Sequence, residues 1–118
     1  MKKLYHATYN AYLPDILRKG LGGVSHINWL ASTGDVCLAE DPYEAASYPE
    51  VAIDEGLVPE EVWNSGITVL EVDVSDIAHL LRPDPNLRPD EQLDNPAWVY
   101  DGVIPSDKLQ IYEQIYDY

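Results

Sequence analysis

Apolar and polar positions switch between a two-residue and a helical period several times along the chain, which predicts short strands alternating with short helices. The opening stretch, KLYHATYNAYLPDILRKGL, sets the pattern. Leu4 and Tyr5 begin a strand, and His6 and Thr8 share one face of it because side chains alternate across a strand. Asn10 suits a helix cap, and Pro14 fits a first helical turn, where its missing N–H costs little. Leu13, Ile16 and Leu17 then fall on one helical face. Gly20, free to adopt positive φ, stops the helix. The product is a polar His-x-Thr pair at the end of a buried strand, close to a helix start. That geometry suits a small polar ligand.

Downstream, GGVSHINWLASTGD reads as a glycine-rich loop with apolar anchors at Ile27 and Trp29. His26 within it has no partner at metal-ligand spacing. Val36 to Ala39 is a short buried strand. Asp41-Pro42-Tyr43-Glu44 announces a helix: Asp41 caps it, Pro42 takes the first position, and Glu44 stands at capping-box spacing. Ala45, Ala46 and Tyr48 follow before Pro49 interrupts. Residues 50–66 read as broken helix, with Val62 and Trp63 docking it on the sheet. ITVLEVDV, from Ile67 to Val74, is the clearest strand. Ile67, Val69, Glu71 and Asp73 lie on one of its faces and Thr68, Leu70, Val72 and Val74 on the other. Ser75-Asp76-Ile77 makes a turn, and His79 is read as structural. Arg82 to Pro96, rich in proline and acid, reads as a long exposed loop. Trp98 to Tyr100 is a short strand. Gln110 to Tyr116 is the last one, with Ile111, Glu113 and Ile115 on one side.

At 118 residues the chain suits one compact domain, 1–118. No apolar run approaches the ~20 residues that span a bilayer, so no membrane partner is expected. Met1-Lys2-Lys3 passes directly into patterned sequence without a secretory apolar stretch, which predicts a cytoplasmic location. Cys37 is the single cysteine. Its place in VCLA predicts a buried, inert thiol, and no metal site is expected. The net charge of −14 repels phosphate backbones, so free nucleic acid is a disfavoured partner. The basic residues are few and scattered. Such a surface fits a basic protein target, or serves solubility alone.

Leu4-Tyr5-His6-Ala7-Thr8, the Ile16-Leu17 pair and Gly20-Leu21 together resemble the opening of the ADP-ribosyltransferase superfamily. That superfamily includes diphtheria-toxin-like and poly-ADP-ribose-polymerase-like enzymes, RNA 2'-phosphotransferases, DNA-modifying toxins and some small phage proteins. Two further segments resemble it in the same order. One is Leu38-Ala39 with its acidic cap, Ala45, Ala46 and Tyr48. The other is the late strand followed by Gly102-Val103-Ile104-Pro105. The resemblance implies an α+β fold of ADP-ribosyltransferase-like split β-sheets, two small packed sheets of largely antiparallel strands with short flanking helices. It implies NAD as substrate, with His6 and Thr8 holding the adenosine-side ribose and the nicotinamide end. Tyr48, with Tyr43 second, would stack on nicotinamide, a flat π face on a flat ring. Both tyrosines equally fit an amphipathic helix surface. The glycine-rich loop would be the mobile loop over NAD.

ADP-ribosyl transfer breaks the nicotinamide–ribose bond through an oxocarbenium-like transition state, which a carboxylate stabilises while orienting or deprotonating the acceptor. The positions that match the family glutamate are Ala97 and Trp98, neither of them acidic. Three readings stay open. The catalytic carboxylate comes from the preceding loop, as Glu91 or Asp94. It is Asp101, at the strand end. Or the protein binds NAD or an ADP-ribose-containing ligand without transfer. RNA 2'-phosphotransferases also lack this glutamate but rely on several arginines, which the basic residues here do not match. The expectation is an NAD-dependent ADP-ribosyltransferase modifying a protein target, in the manner of a toxin or phage counter-defence effector. The alternative is a catalytically inactive protein of the same fold that engages or inhibits a basic partner through its acidic surface.

Overall fold

The computed structural model describes residues 2–22, 36–85 and 87–115. Its spine is β1 (Lys3–Tyr9), which pairs antiparallel along its whole length with β3 (Ile67–Asp73), from Lys3↔Asp73 to Tyr9↔Ile67. On the other side of β1 stands β2 (Val36–Ala39), registered at Tyr5↔Ala39. β2 pairs with β5 (Ala97–Tyr100), and β5 with the two-residue β4 (Arg82–Pro83). β6 (Leu109–Ile115) closes the far edge against β3. The order is β4-β5-β2-β1-β3-β6, all antiparallel. With its short helices the fold is α+β. In place of two small packed sheets there is one six-stranded sheet, narrowest at the β1–β2 seam, because β2 is short and meets β1 at one register point.

Strand alternation divides the core in two. Leu4, Leu38, Leu70 and Val72 point to one face, where Leu13 and Ile16 of α1 (Leu13–Lys19), Leu21 and Ile104 cover them. Ala7, Tyr9, Ala39, Ile67 and Val69 point to the other. There they meet Ala45, Ala46 and Ala52 of α2 (Pro42–Asp54), with Val62 and Trp63 of α3 (Glu60–Trp63) alongside. The two-faced reading of ITVLEVDV therefore holds. Leu4, Leu38, Ile67 and Leu70 are wholly buried; each such side chain stabilises the fold by about 1.5–3 kcal/mol.

Several local expectations need correction. Asn10 does not cap α1, which follows a 3-10 turn over Asn10–Tyr12. Its side-chain amide reaches the segment before β3 instead, donating to the Ser65 carbonyl at 3.0 Å and accepting from the Thr68 hydroxyl. Leu17 is 41% exposed, so the sheet takes only the Leu13–Ile16 edge of α1. Asp41 does cap α2, accepting from the N–H groups of Tyr43 at 2.7 Å and Glu44 at 3.4 Å. Pro49 does not end that helix, which continues to Asp54. Pro49 is buried and its carbonyl accepts the Tyr9 hydroxyl at 3.0 Å, which anchors this turn of α2 against β1. Cys37 is half-buried rather than buried.

The stretch 82–96 is not an open loop. It forms β4 and α4 (Pro89–Asp94). Pro89 occupies the first turn of α4, and the Glu91 carboxylate accepts the Arg88 backbone N–H at 3.0 Å, closing its start. In β6 the register jumps from Leu70↔Ile111 to Val69↔Glu113, leaving Tyr112 as the extra residue of a bulge. Ile111 and Glu113 consequently lie on opposite faces, and the one-sided stripe expected from strict alternation does not form. His79 lies exposed in a 3-10 turn. Among the described residues no helix is long and apolar enough to cross a membrane. His26, Ile27 and Trp29 lie outside the described residues.

Leu21 and Ile104 exchange backbone bonds, Leu21 N–H to the Ile104 carbonyl at 2.8 Å and the reverse at 2.7 Å. The approach is close enough to require glycine at Gly22, which sits at φ +119°, where a Cβ would stand 2.3 Å from the Gly102 carbonyl oxygen. Gly56, at φ +71°, has no atom within 4 Å of such a Cβ. Urea denaturation should therefore separate the two sites. Gly22→Ala should lower the unfolding free energy by about 3 kcal/mol, from strain and overpacking together. Gly56→Ala should cost only about 1 kcal/mol, the strain alone. Equal losses at both would refute the close approach.

Candidate functional site

His6 stands on β1 at the seam with β2. Its Nδ1 lies 2.8 Å from the Cys37 carbonyl oxygen. A carbonyl only accepts, so Nδ1 carries a proton, and in the neutral ring Nε2 is left as an acceptor. The residue is buried. Burial holds its pKa below the ordinary histidine value, outweighing the Cys37 bond, which favours the charged form.

Thr8 lies two residues further on the same face and is 1% exposed. Its hydroxyl has no partner among the described residues. Leaving a buried hydroxyl unbonded costs about 1–3 kcal/mol, which a ligand oxygen or nitrogen at that point would recover. Directly opposite Thr8 across the β1–β3 ladder is Thr68, also buried. Its hydroxyl donates to Asn10 Oδ1 and accepts from Gln114 Nε2 at 3.1 Å. His6, Thr8, Thr68, Asn10 and Gln114 thus make a polar strip on an otherwise apolar face. Sequence reading missed Thr68 and Gln114 as part of it. A threonine set among Leu70, Val72 and Val74 was the available signal for the first. The β6 bulge hid the second by shifting its phase.

The two candidate stacking rings sit elsewhere. Tyr48 and Tyr43 belong to α2, which covers the opposite sheet face. Burial raises the Tyr48 phenol well above its ordinary pKa, and Glu44, Asp84 and Cys37 add to the shift. Cys37 therefore stands between the two sides: its carbonyl accepts the His6 Nδ1–H bond, while its side chain faces the α2 side of the sheet by strand alternation. Tyr43 is 71% exposed at the start of α2. The fold brings His6 and Thr8 together and leaves Tyr48 and Tyr43 on the other side of the sheet.

The candidate acids are also apart from the pair. Glu91 serves the start of α4, where the Arg88 N–H holds its carboxyl below the usual range. Asp94 ends α4 and lines a cavity of about 160 Å³ with Glu40, Asp41 and Glu44, beside the N-terminal turn of α2. Asp101 is paired with the Arg82 guanidinium at 2.6 Å. On the His6 face, the described strand positions carry apolar or neutral side chains, among them Trp98 opposite Leu38. Among the described residues there is no group of three His, Cys, Asp or Glu side chains that could hold a metal ion. No protein-family model, curated protein or solved structure matches the chain.

The neutral His6 has a consequence for pH. Its folded pKa lies below the unfolded value of about 6.5, so on acidification the unfolded chain takes up this proton first. The stability it contributes is complete above pH ~6.5 and is lost as pH falls below that point. Urea titrations between about pH 7 and 5 should show a steeper loss in the wild type than in His6→Gln. Nitrogen NMR should find the proton on Nδ1. An imidazole titrating above 6.5, or protonated on Nε2 alone, would overturn this assignment.

Proposed function

We propose that the chain is an NAD-dependent ADP-ribosyltransferase acting on a protein, built on a fold of the ADP-ribosyltransferase type. One observation carries the reading: the buried Thr8 hydroxyl has no protein partner among the described residues, and it shares a strand face with His6, whose Nδ1 is held by the Cys37 carbonyl, leaving Nε2 as the acceptor. An acceptor beside a donor–acceptor hydroxyl matches a ribose hydroxyl and a carboxamide. Supporting it, the segments that carry the resemblance meet in space. Leu21 bonds to Ile104 in both directions, and His6 bonds to the strand that leads into the Asp41 cap.

In this reading His6 accepts from the adenosine-side ribose and Thr8 bonds the nicotinamide end. Positive charge grows on the ribose as nicotinamide departs, and a carboxylate offsets it. Of the two candidate acids, Glu91 is held by Arg88, whereas Asp94 makes no ion pair among the described residues. Asp94 is therefore the candidate acid carried into the test, standing beside the start of α2 and apart from the pair. The second reading is binding without transfer, and the neutral strand positions on the His6 face favour it.

Incubation of the protein with labelled NAD and a cell lysate tests both. The transferase should label a macromolecule. Asp94→Asn should cut that labelling by about a hundredfold or more, and Glu91→Gln should not. His6→Ala should weaken NAD binding by about ten- to a hundredfold in calorimetry, equivalent to ~1–3 kcal/mol. NAD binding with no label and no released nicotinamide selects the second reading. No NAD binding at all removes both.

A further inference from the structure

α2 and α3 cover only the end of their sheet face where Ala7, Tyr9, Ile67 and Val69 lie. At the other end the β1–β3 register sets Tyr5 directly opposite Glu71. The β6 bulge turns its extra residue, Tyr112, against Tyr5, with ring centroids 5.2 Å apart and planes at 71°. Glu113 shares that face, opposite Val69. Tyr112 is 46% exposed and Tyr43, in the first turn of α2, 71%. Burial raises the Tyr112 phenol above its ordinary pKa, and Tyr43, Tyr5, Glu113 and Glu71 lie near enough to add to the shift.

Aromatic faces carry a negative quadrupole that attracts cations, and neighbouring carboxylates add to the attraction. The chain's own Lys3 already places its ammonium 3.0 Å from Glu71 at the margin of the patch. A net charge of −14 steers basic partners inward over a longer range. A guanidinium suits the patch better than an ammonium, because its plane stacks on rings while its N–H groups reach carboxylates. Beyond Glu71 lies a groove of about 490 Å³, where Lys2, Lys3 and Lys108 alternate with Asp73 and Asp107, so the cation-selective surface ends there.

We propose that Tyr5, Tyr43 and Tyr112, with Glu71 and Glu113, form a docking surface for an arginine-bearing segment of a basic protein. The patch lies on the sheet face opposite His6 and Thr8, so recognition of the cation does not rest on the transferase reading. Calorimetry and tyrosine-ring NMR with an octa-arginine peptide, in the absence of NAD, test it. The wild type should bind, with shifts at these rings. Tyr43→Leu/Tyr112→Leu should bind about tenfold more weakly, and Tyr43→Phe/Tyr112→Phe within about twofold of the wild type, because phenylalanine keeps the π face. Glu60→Gln/Glu61→Gln, on α3, removes charge away from the patch and should also stay within about twofold. The proposal falls if the wild type does not bind, if the leucine pair binds as the wild type does, or if the phenylalanine pair loses as much. Should the double leucine variant fail to fold, Tyr43→Leu alone, at the most exposed ring, gives the same comparison. A null result here leaves the His6–Thr8 assignment standing, and lost NAD binding leaves this one standing.

Discussion

The hydrogen bond from His6 Nδ1 to the Cys37 carbonyl crosses the least reinforced line in the sheet. β1 and β3 are laddered from end to end, and β2 and β5 likewise, but β1 and β2 share one register point, Tyr5↔Ala39. A side chain that bridges this seam ties the β4-β5-β2 side to the β1-β3-β6 side. The same bond sets the tautomer and the orientation of the imidazole, and burial keeps it neutral against that bond. A structural demand and a chemical one thus converge on a single ring nitrogen, and the other nitrogen is left available. The helices follow from this arrangement, since α1 and α2 each bury a short apolar edge on one of the two faces that the spine strand presents.

Much of this was legible from periodicity. ITVLEVDV announced both its strand and its two faces, because residues that alternate over a long run leave little choice of register. The Asp41-Pro42 start of α2 was equally plain, since cap and first-turn chemistry are local. The failures are non-local. Asn10 carries the right side chain for a cap, but Ser65 and Thr68 compete for it across the chain. Pro49 would break an isolated helix, yet burial and the Tyr9 hydroxyl hold it inside α2. The 82–96 stretch has the composition of a loop, and a two-residue strand leaves almost no periodic trace.

The site divides in the same way. His6 and Thr8 were readable because alternation alone places them together. Thr68 joins them through pairing with β1, which a threonine in an apolar run hints at only weakly. Gln114 and Tyr112 depend on a bulge, and one inserted residue exchanges which side chains face the site and which face solvent. Sequence spacing could not place the acids either. Glu91 is drawn into capping its own helix, and Asp101 into holding Arg82 beside β5.

Charge then constrains what each face can do. NAD is anionic, and the chain carries −14, so long-range forces oppose the approach of this ligand. A neutral histidine and a hydroxyl offer no countercharge. In the proposed reading, affinity at His6 and Thr8 would arise from short-range hydrogen bonds in a buried site, where they are stronger and salt acts on them little. The tyrosine patch works in the opposite sense. It is exposed, its attraction for a guanidinium is electrostatic, and salt weakens it. Screening thus relieves the repulsion of the nucleotide while loosening a basic partner. In the proposed reading the two faces of one sheet would take ligands of opposite charge, with β1 contributing His6 and Thr8 to one face and Tyr5 to the other.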